Sequence, residues 1–381
     1  MPVFRKELFW VGATIFVIFL VNLATAARSP TVWMDEVMLA DPAANLVVAG
    51  RGFTSTAWPR YGSTRMWAGN APLHSWLLAP WVAVWGLTPT AVRAINFVYI
   101  SLAAWLLWAA VRRSGFIRSP RLRIALVVLV LCENAVVFSY RGGRYDTLGV
   151  LLLAIAAAGA VAKAPALRMA LLVFAGIAIP FAGLQLIPYA VVVCAALLLV
   201  FGARTLRVSL PLGVGVAAGG ALLYATFRAL GIWDAFVPAI REQMVGEAGS
   251  AKLLVADPTL VLATAALLLG AAFGWKLGWR RFDVLALVLL VAVPAVLGWT
   301  GRFPHYYLWM IGIPALVAAV QVWERLQARR IGWVVAALLI GGAMAGLPAR
   351  LAIMAIEWPR RDYAPVEALI SRTVTGELRS Q

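Results

Sequence analysis

The sequence predicts an all-α polytopic membrane protein with about eleven transmembrane helices. The 381-residue chain is 63% hydrophobic and 13% charged, with a mean hydropathy of +0.88, whereas soluble domains carry roughly 25% charged residues. Repeated apolar runs have the length of membrane spans, which is roughly 20 residues. Backbone polar groups in lipid must bond within the chain, so an open sheet is excluded and a helical bundle is favoured.

The first expected span covers 8–27, which is too long for the apolar core of a cleaved signal peptide and is expected to stay as an anchor. The other ten expected spans are 89–111, 124–139, 147–163, 167–182, 186–202, 208–226, 258–275, 282–299, 306–323 and 331–349. Prolines and glycines interrupt the fifth and sixth spans. A long loop, 28–88, separates the first two spans, and we expect it to bear juxtamembrane helices.

The distribution of charge gives this arrangement an orientation. With the N-terminus inside, the six short inner segments contain 17 of the 33 Lys and Arg residues but only three of the 16 acidic residues. This asymmetry is what the positive-inside rule requires. The net charge of +17 therefore reflects membrane topology, and no nucleic-acid partner is expected. The outer segments are then 28–88, 140–146, 227–257, 300–305 and a tail at 351–381, which follows a transmembrane domain at 1–350.

Neither cysteine usage nor histidine content predicts a metal or cofactor site. Cys132 and Cys194 are isolated in apolar runs, which gives no disulfide framework and no metal-binding pair. His74 and His305 are the only histidines, and two residues from separate loops are too few to predict zinc. No cofactor is expected, although a weak requirement for a divalent metal is left open.

An acid pair, Asp35-Glu36, begins a predicted helix in the long outer loop. Adjacent helical residues point about 100° apart, so one carboxylate can face a substrate while the other is held by an arginine or by backbone. A desolvated carboxylate there suits a general base. The alternative is a solvated helix start, where acids are favoured by the helix dipole. Trp33 and Trp67 belong to the same loop, and aromatic faces pack on sugars, although tryptophan also collects at membrane interfaces.

Two arginine-containing turns are expected at the same outer face. Arg141 and Arg144 flank two glycines, which makes a bidentate phosphate clamp plausible, and Asp146 would orient Arg144 or accept a proton from a substrate hydroxyl. In the second turn, Arg302 precedes His305 and Tyr306, which are also suited to phosphate. The alternatives are snorkelling arginines and an interfacial aromatic belt.

Arg93 and Glu133 are charged residues inside expected spans, where charge is costly and is usually paired or functional. Both lie near the outer ends of their spans. They either pair with one another, or Arg93 faces the outer site.

Several motifs follow one another in order along the outer side. They are Asp35-Glu36, Gly50-Arg51-Gly52-Phe53, Pro72-Leu73-His74, Arg93 within 91–96, Arg144-Tyr145-Asp146, and the turn from Arg302 to Tyr307. In this order the chain resembles the C-type (GT-C) membrane glycosyltransferases, within the protein-mannosyltransferase and aminoarabinose-transferase group. It departs from that group at Ala71, where many relatives have proline, and in its short tail, so the acceptor stays open.

The resemblance implies transfer of a sugar, usually with inversion, from a polyprenyl-phosphate donor to a glycan, lipid or protein acceptor. The reaction would take place on the non-cytoplasmic face of a bacterial-type inner membrane. The resemblance implies Asp35 as the catalytic acid with Glu36 as its companion, and Arg144, Arg302 and Arg93 as residues that hold the donor phosphate. The residues themselves add Asp146 to the catalytic candidates and Arg141, His305 and Tyr306 to the phosphate-binding candidates. The candidate sugar or acceptor contacts are Trp33, His74 and Trp67.

A transporter or flippase of lipid-linked substrates is the alternative from another functional class. Such proteins usually show broken or polar helices near the bilayer midplane and repeat symmetry. In this sequence the polar residues collect at one face instead, which favours an enzyme working at the membrane surface.

Overall fold

The computed structural model describes residues 2–32, 34–50, 52–56, 66–67, 69–245, 257–273, 281–299 and 305–361. Within these ranges the regular structure is helical, apart from a single bridge between Phe53 and Met66, so the all-α class is confirmed. The α-helices are α1 (Pro2–Thr25), α2 (Met34–Ala49), α3 (Leu73–Trp85), α4 (Pro89–Ser114), α5 (Pro120–Cys132), α6 (Asn134–Arg141), α7 (Asp146–Ala160), α8 (Pro165–Ala182), α9 (Leu186–Phe201), α10 (Leu206–Ala229), α11 (Trp233–Val245), α12 (Pro258–Phe273), α13 (Arg281–Trp299), α14 (Trp309–Leu326), α15 (Arg330–Ala345) and α16 (Leu347–Glu357). Short 3-10 helices cover Gly202–Thr205, His305–Tyr307 and Trp358–Arg361.

Several of these helices have the length and composition of membrane spans. Six helical stretches in the described residues qualify, or seven if the bent pair α5–α6 is one span. Asp146–Ala160 and Pro258–Gly270 are apolar but shorter. The predicted spans 186–202 and 208–226 lie within one helical stretch, Leu186–Ala229. The protein is thus a multi-pass membrane protein by its helices, and the number of eleven spans stays a prediction.

The first and fourth helices run antiparallel and define the two ends of the bundle. Arg93, near the start of α4, donates to the carbonyl of Ala26, just beyond the end of α1, and to Glu36 at the start of α2. Trp108, near the end of α4, bonds Glu7 near the start of α1. We call the end of the bundle that holds Asp35 and Glu36 the acid-pair end, and the opposite end the Glu7 end.

The predicted span 124–139 is broken rather than continuous. Helices α5 and α6 meet at Glu133 with a bend of 57°. Glu133 has an extended backbone (ψ 133°), and its carboxylate accepts the backbone N–H of Val136, so it caps α6. The hydroxyl of Tyr140 donates to the carbonyl of Leu131, which the break leaves without a helical partner. The bend therefore sets the direction in which α6 leads to Arg141.

Candidate functional site

One acid of the pair is held in a closed ion pair. Arg93 donates from Nε and Nη2 to the two carboxylate oxygens of Glu36, each at 2.6 Å, and from Nη1 to the carbonyl of Ala26 at 2.5 Å. Arg93 is fully buried and Glu36 is 3% exposed. Arg93 thereby joins α4 to the start of α2 and to the end of α1, and it does not pair with Glu133.

The other acid, Asp35, belongs to a group of three charged residues that is partly exposed. Arg144 donates from Nη1 to Asp35 and from Nε to Asp146, the latter at 2.5 Å. The side chains of Arg144 and Asp146 are 3% and 0% exposed, whereas that of Asp35 is 23% exposed. The Arg144 guanidinium also lies 3.7 Å above the ring of Tyr306. Asp35 is therefore the member of this group that a substrate can reach.

The turn between α6 and α7 comes close to the acid pair because it contains glycine. Gly143 has a φ of +64°, and a Cβ at this position would lie 2.6 Å from Cγ of Glu36. Any other residue would be strained by the backbone angle and would collide with Glu36. Gly143 thus allows Arg144 to approach Asp35 while Glu36 stays on Arg93.

Arg141 is engaged with the end of α1. Its guanidinium donates to the side chain of Asn22, to Thr25 Oγ1 at 3.0 Å and to the carbonyl of Ser29 at 2.9 Å. The side chain is buried, and its Nε has no partner among the described residues. These contacts hold α6 against α1.

Buried aromatic residues surround Arg144. The hydroxyls of Tyr145 and Tyr307 lie 3.3 Å apart, and Trp67 packs in a small cluster with Leu39 and Tyr145. Burial raises the pKa of the Tyr145 hydroxyl, so it stays neutral. Burial also opposes the charge of Arg144, but the neighbouring carboxylate of Asp146 holds the arginine pKa well above its usual value. Arg144 is therefore a permanent cation.

His74 lies in the first turn of α3 and is buried. Neither ring nitrogen has a partner among the described residues, and the ring centroid is 6.3 Å from that of Tyr99. Burial lowers the pKa of His74 to about 4, so its ring is neutral at physiological pH. Asn96 and Tyr99 on α4 are also buried with unpartnered side-chain polar atoms. Sequence reasoning missed Asn96, although a polar amide three residues after Arg93 in an apolar span was a signal for it.

Some predicted site residues lie outside the described structure. Trp33 and Arg302 fall in the gaps, and for His305 only the backbone is described, as the first residue of a 3-10 helix. The described residues contain no group of three or more His, Cys, Asp or Glu side chains that could hold a metal ion.

The arrangement of the helices places the protein in a class, the multi-pass membrane proteins that share the C-type glycosyltransferase fold. The particular likeness is to a crystal structure of ArnT from Cupriavidus metallidurans bound to undecaprenyl phosphate, with a TM-score of 0.66 and 18% sequence identity. The match covers 89% of this chain and 63% of the ArnT chain, so this protein spans less than two thirds of that length. The predicted resemblance in fold is confirmed. No protein-family model matches the sequence, and no curated protein matches it.

Proposed function

We propose that the protein is an integral-membrane glycosyltransferase that moves a sugar from a polyprenyl-phosphate donor to an acceptor, with inversion. The observation that carries this proposal is the position of Asp35, a partly exposed carboxylate on a buried, permanently charged arginine. The fold supports the donor class, since the ArnT structure that shares it is bound to undecaprenyl phosphate.

In the proposed reaction, the hydroxyl oxygen of the acceptor attacks the anomeric carbon of the donor sugar, and Asp35 accepts the proton of that hydroxyl. The bond between the sugar and the phosphate breaks, and the polyprenyl phosphate leaves as an anion. A cation beside the leaving phosphate stabilises the developing charge. We assign that role to Arg144, which lies over the ring of Tyr306, and we propose that Arg302 and His305 share it.

The remaining charged residues are proposed to position these groups. Asp146 fixes one side of the Arg144 guanidinium. The pair of Glu36 and Arg93 holds the first turn of α2, so that Asp35 faces the Arg144 side. Arg141 is bound to the end of α1, and we assign it to positioning in preference to phosphate binding.

The sugar and acceptor contacts are proposed to include Trp33, Trp67 and His74. Trp67 and His74 are both buried at the acid-pair end, and the polar ring atoms of each lack a partner among the described residues. Such atoms lose the free energy of a hydrogen bond unless a ligand or water supplies one. A sugar hydroxyl offers both a donor and an acceptor, which suits a neutral imidazole.

We further propose the topology of eleven spans, with the domain 1–350 catalytic, the tail 351–381 outside, and the acid-pair end on the non-cytoplasmic face of a bacterial-type inner membrane. The antiparallel contact of α1 and α4 supports this orientation, because it separates the acid pair from the end that holds the basic residues Arg112 and Arg113.

The test is to compare Asp35→Asn with Asp234→Asn, since Asp234 is an exposed aspartate in α11 (87% side-chain exposure). Each purified variant is given a radiolabelled polyprenyl-phosphate sugar and membranes from a strain that lacks the protein. We expect Asp35→Asn to abolish transfer and Asp234→Asn to retain it. Parental activity in Asp35→Asn contradicts the role of Asp35, and movement of the lipid-linked sugar across vesicles without transfer favours a transporter.

A further inference from the structure

An apolar cavity of about 410 Å³ lies inside the bundle, between α4, α7 and α14 on one side and α9, α10 and α13 on the other. Its lining is almost entirely aliphatic and aromatic and includes Ala104, Ala157, Leu197, Leu289 and Val317. A dry apolar cavity of about 150 Å³ holds one benzene molecule. At the same cavity volume per carbon atom, this cavity has room for a hydrocarbon chain of about 15 carbon atoms.

The length of the cavity also suits one chain. Along α7 its lining runs from Val150 to Val161, which at the rise of an α-helix is about 16 Å. The hydrocarbon core of a bilayer is about 30 Å thick, so one leaflet contributes about 15 Å. The cavity therefore matches the depth of a single leaflet.

The end of the cavity nearer the acid pair is closed by packed side chains. Trp309 is 1% exposed, and its ring packs edge-on to that of Tyr189 with centroids 6.4 Å apart. Leu186 fills the space above Gly149, where an added Cβ would lie 3.1 Å away. A hydrocarbon chain therefore cannot enter the cavity past these residues. It would enter from the Glu7 end.

At the Glu7 end the cavity reaches the partly exposed residues Ser114, Phe201 and Thr205. Exposed cations adjoin this lining in the sequence, Arg204 beside Thr205 and Arg207 beside Val208. Arg113, beside Ser114, and Lys163, two residues after Val161, are also exposed. These four side chains have no hydrogen-bond or ion-pair partner in the described part of the chain. Each cation near a membrane surface attracts an anionic headgroup.

We propose that this cavity is a second lipid site, which binds one anionic phospholipid from the leaflet at the Glu7 end. One hydrocarbon chain of the lipid fills the cavity, and its phosphate lies among Arg113, Lys163, Arg204 and Arg207. The site is separate from the acid pair, and its occupant is a bilayer lipid and not the glycosyl donor. The inference therefore does not depend on the proposed reaction.

The experiment is native mass spectrometry of the full chain in detergent, titrated with dioleoylphosphatidylglycerol or dioleoylphosphatidylcholine. We expect one phosphatidylglycerol to bind with a clear preference over phosphatidylcholine. Removing two mouth cations with Arg204→Gln/Arg207→Gln should weaken phosphatidylglycerol binding about thirtyfold and leave phosphatidylcholine binding unchanged. Ala157→Phe fills the cavity and should abolish the bound lipid. Ala170→Phe, on the exposed face of α8, is the matched control and should bind as the parent does.

Two results would overturn the proposal. One is parental phosphatidylglycerol binding by the double glutamine variant, which has no buried substitution and should fold normally. The other is displacement of phosphatidylglycerol by undecaprenyl phosphate mole for mole, which would assign the cavity to the chain of a glycosyl donor.

Discussion

The two ends of the bundle use the same charged groups in different ways. At the Glu7 end, Arg123 donates from Nε and Nη2 to the two oxygens of Glu7 at 2.6 Å each, and Trp108 donates to the same carboxylate at 2.8 Å. The remaining Nη1 of Arg123 donates to two backbone carbonyls. At the acid-pair end, Arg144 is shared by Asp35 and Asp146, and the former is partly exposed.

This difference separates structural ion pairs from a reactive group. A structural ion pair is buried, has one acid for each arginine, and uses all three guanidinium nitrogens as hydrogen-bond donors. Such a pair holds helices together. By that criterion Glu36 with Arg93 resembles Glu7 with Arg123, because both pairs are bidentate and both arginines donate their Nη1 to backbone. Of these three groups, the one around Arg144 has a partly exposed acid. Asp35 and Glu36 are therefore neighbours in sequence with different roles.

The largest effect is expected when Arg144 is replaced. Arg144→Met leaves the buried Asp146 carboxylate unpaired and should lower the free energy of unfolding by about 3 to 5 kcal/mol. Transfer should fall by about 100- to 1,000-fold in the remaining folded protein, because a cation beside the leaving group is lost. Thermal unfolding and initial rates measure the two effects.

The double variant Arg144→Met/Asp146→Leu is the control for this prediction. It removes both buried charges and should recover much of the stability without recovering transfer. Recovery of activity together with stability would show that Arg144 has only a structural role.

A comparable loss of stability with a different effect on activity is expected at the Glu7 end. Arg123→Met should destabilise the protein by about 3 to 5 kcal/mol, because Glu7 is left buried and unpaired. Arg123→Met/Glu7→Leu should recover stability, and transfer per folded molecule should stay within about twofold of the parent. A larger loss of transfer would mean that the two ends are not functionally distinct.

The sequence is sufficient to predict the fold class and the contact of Asp146 with Arg144. Hydropathy and the spacing of the Asp35 and Arg144 motifs predicted helices and a common face. The break at Glu133 was missed because a single capping carboxylate in an apolar run does not alter hydropathy. The sequence leaves the partner of Arg93 open, because a periodic pattern does not define which side chains meet across helices.

The next prediction concerns His74 at the acid-pair end, which should make the stability of the protein depend on pH. The folded protein keeps His74 neutral because burial lowers its pKa from 6.5 to about 4. Above pH 6.5 the ring is neutral in both states, and stability is unaffected. As the pH falls toward 4, only the unfolded chain takes up the proton, so about 3 kcal/mol of stability is lost.

His74→Leu should remove this part of the pH dependence. The unfolding temperatures of parent and variant are compared at pH 7 and at pH 4.5. Their difference gives the contribution of His74, because the carboxylates titrate in both proteins. An unchanged difference across that range would mean that His74 is accessible to protons in the folded state.

The smallest effect tests the turn that brings Arg144 to Asp35. Gly143→Ala places a methyl group against Glu36 in addition to the strain of a positive φ, and should cost about 1 to 3 kcal/mol. Gly115→Ala is the matched control, because Gly115 has a similar φ of +69° with open space around it. Stability and transfer should both fall further for Gly143→Ala. Equal effects of the two variants would mean that contact with Glu36 is unimportant.

The most direct test of the central claim is a structure of the protein with a bound polyprenyl phosphate. We expect the phosphate at the acid-pair end, within about 3 Å of the Arg144 guanidinium, with the carboxylate of Asp35 facing the position of the sugar. A phosphate bound elsewhere, with no contact to Arg144, would contradict the proposal that this group is the catalytic site.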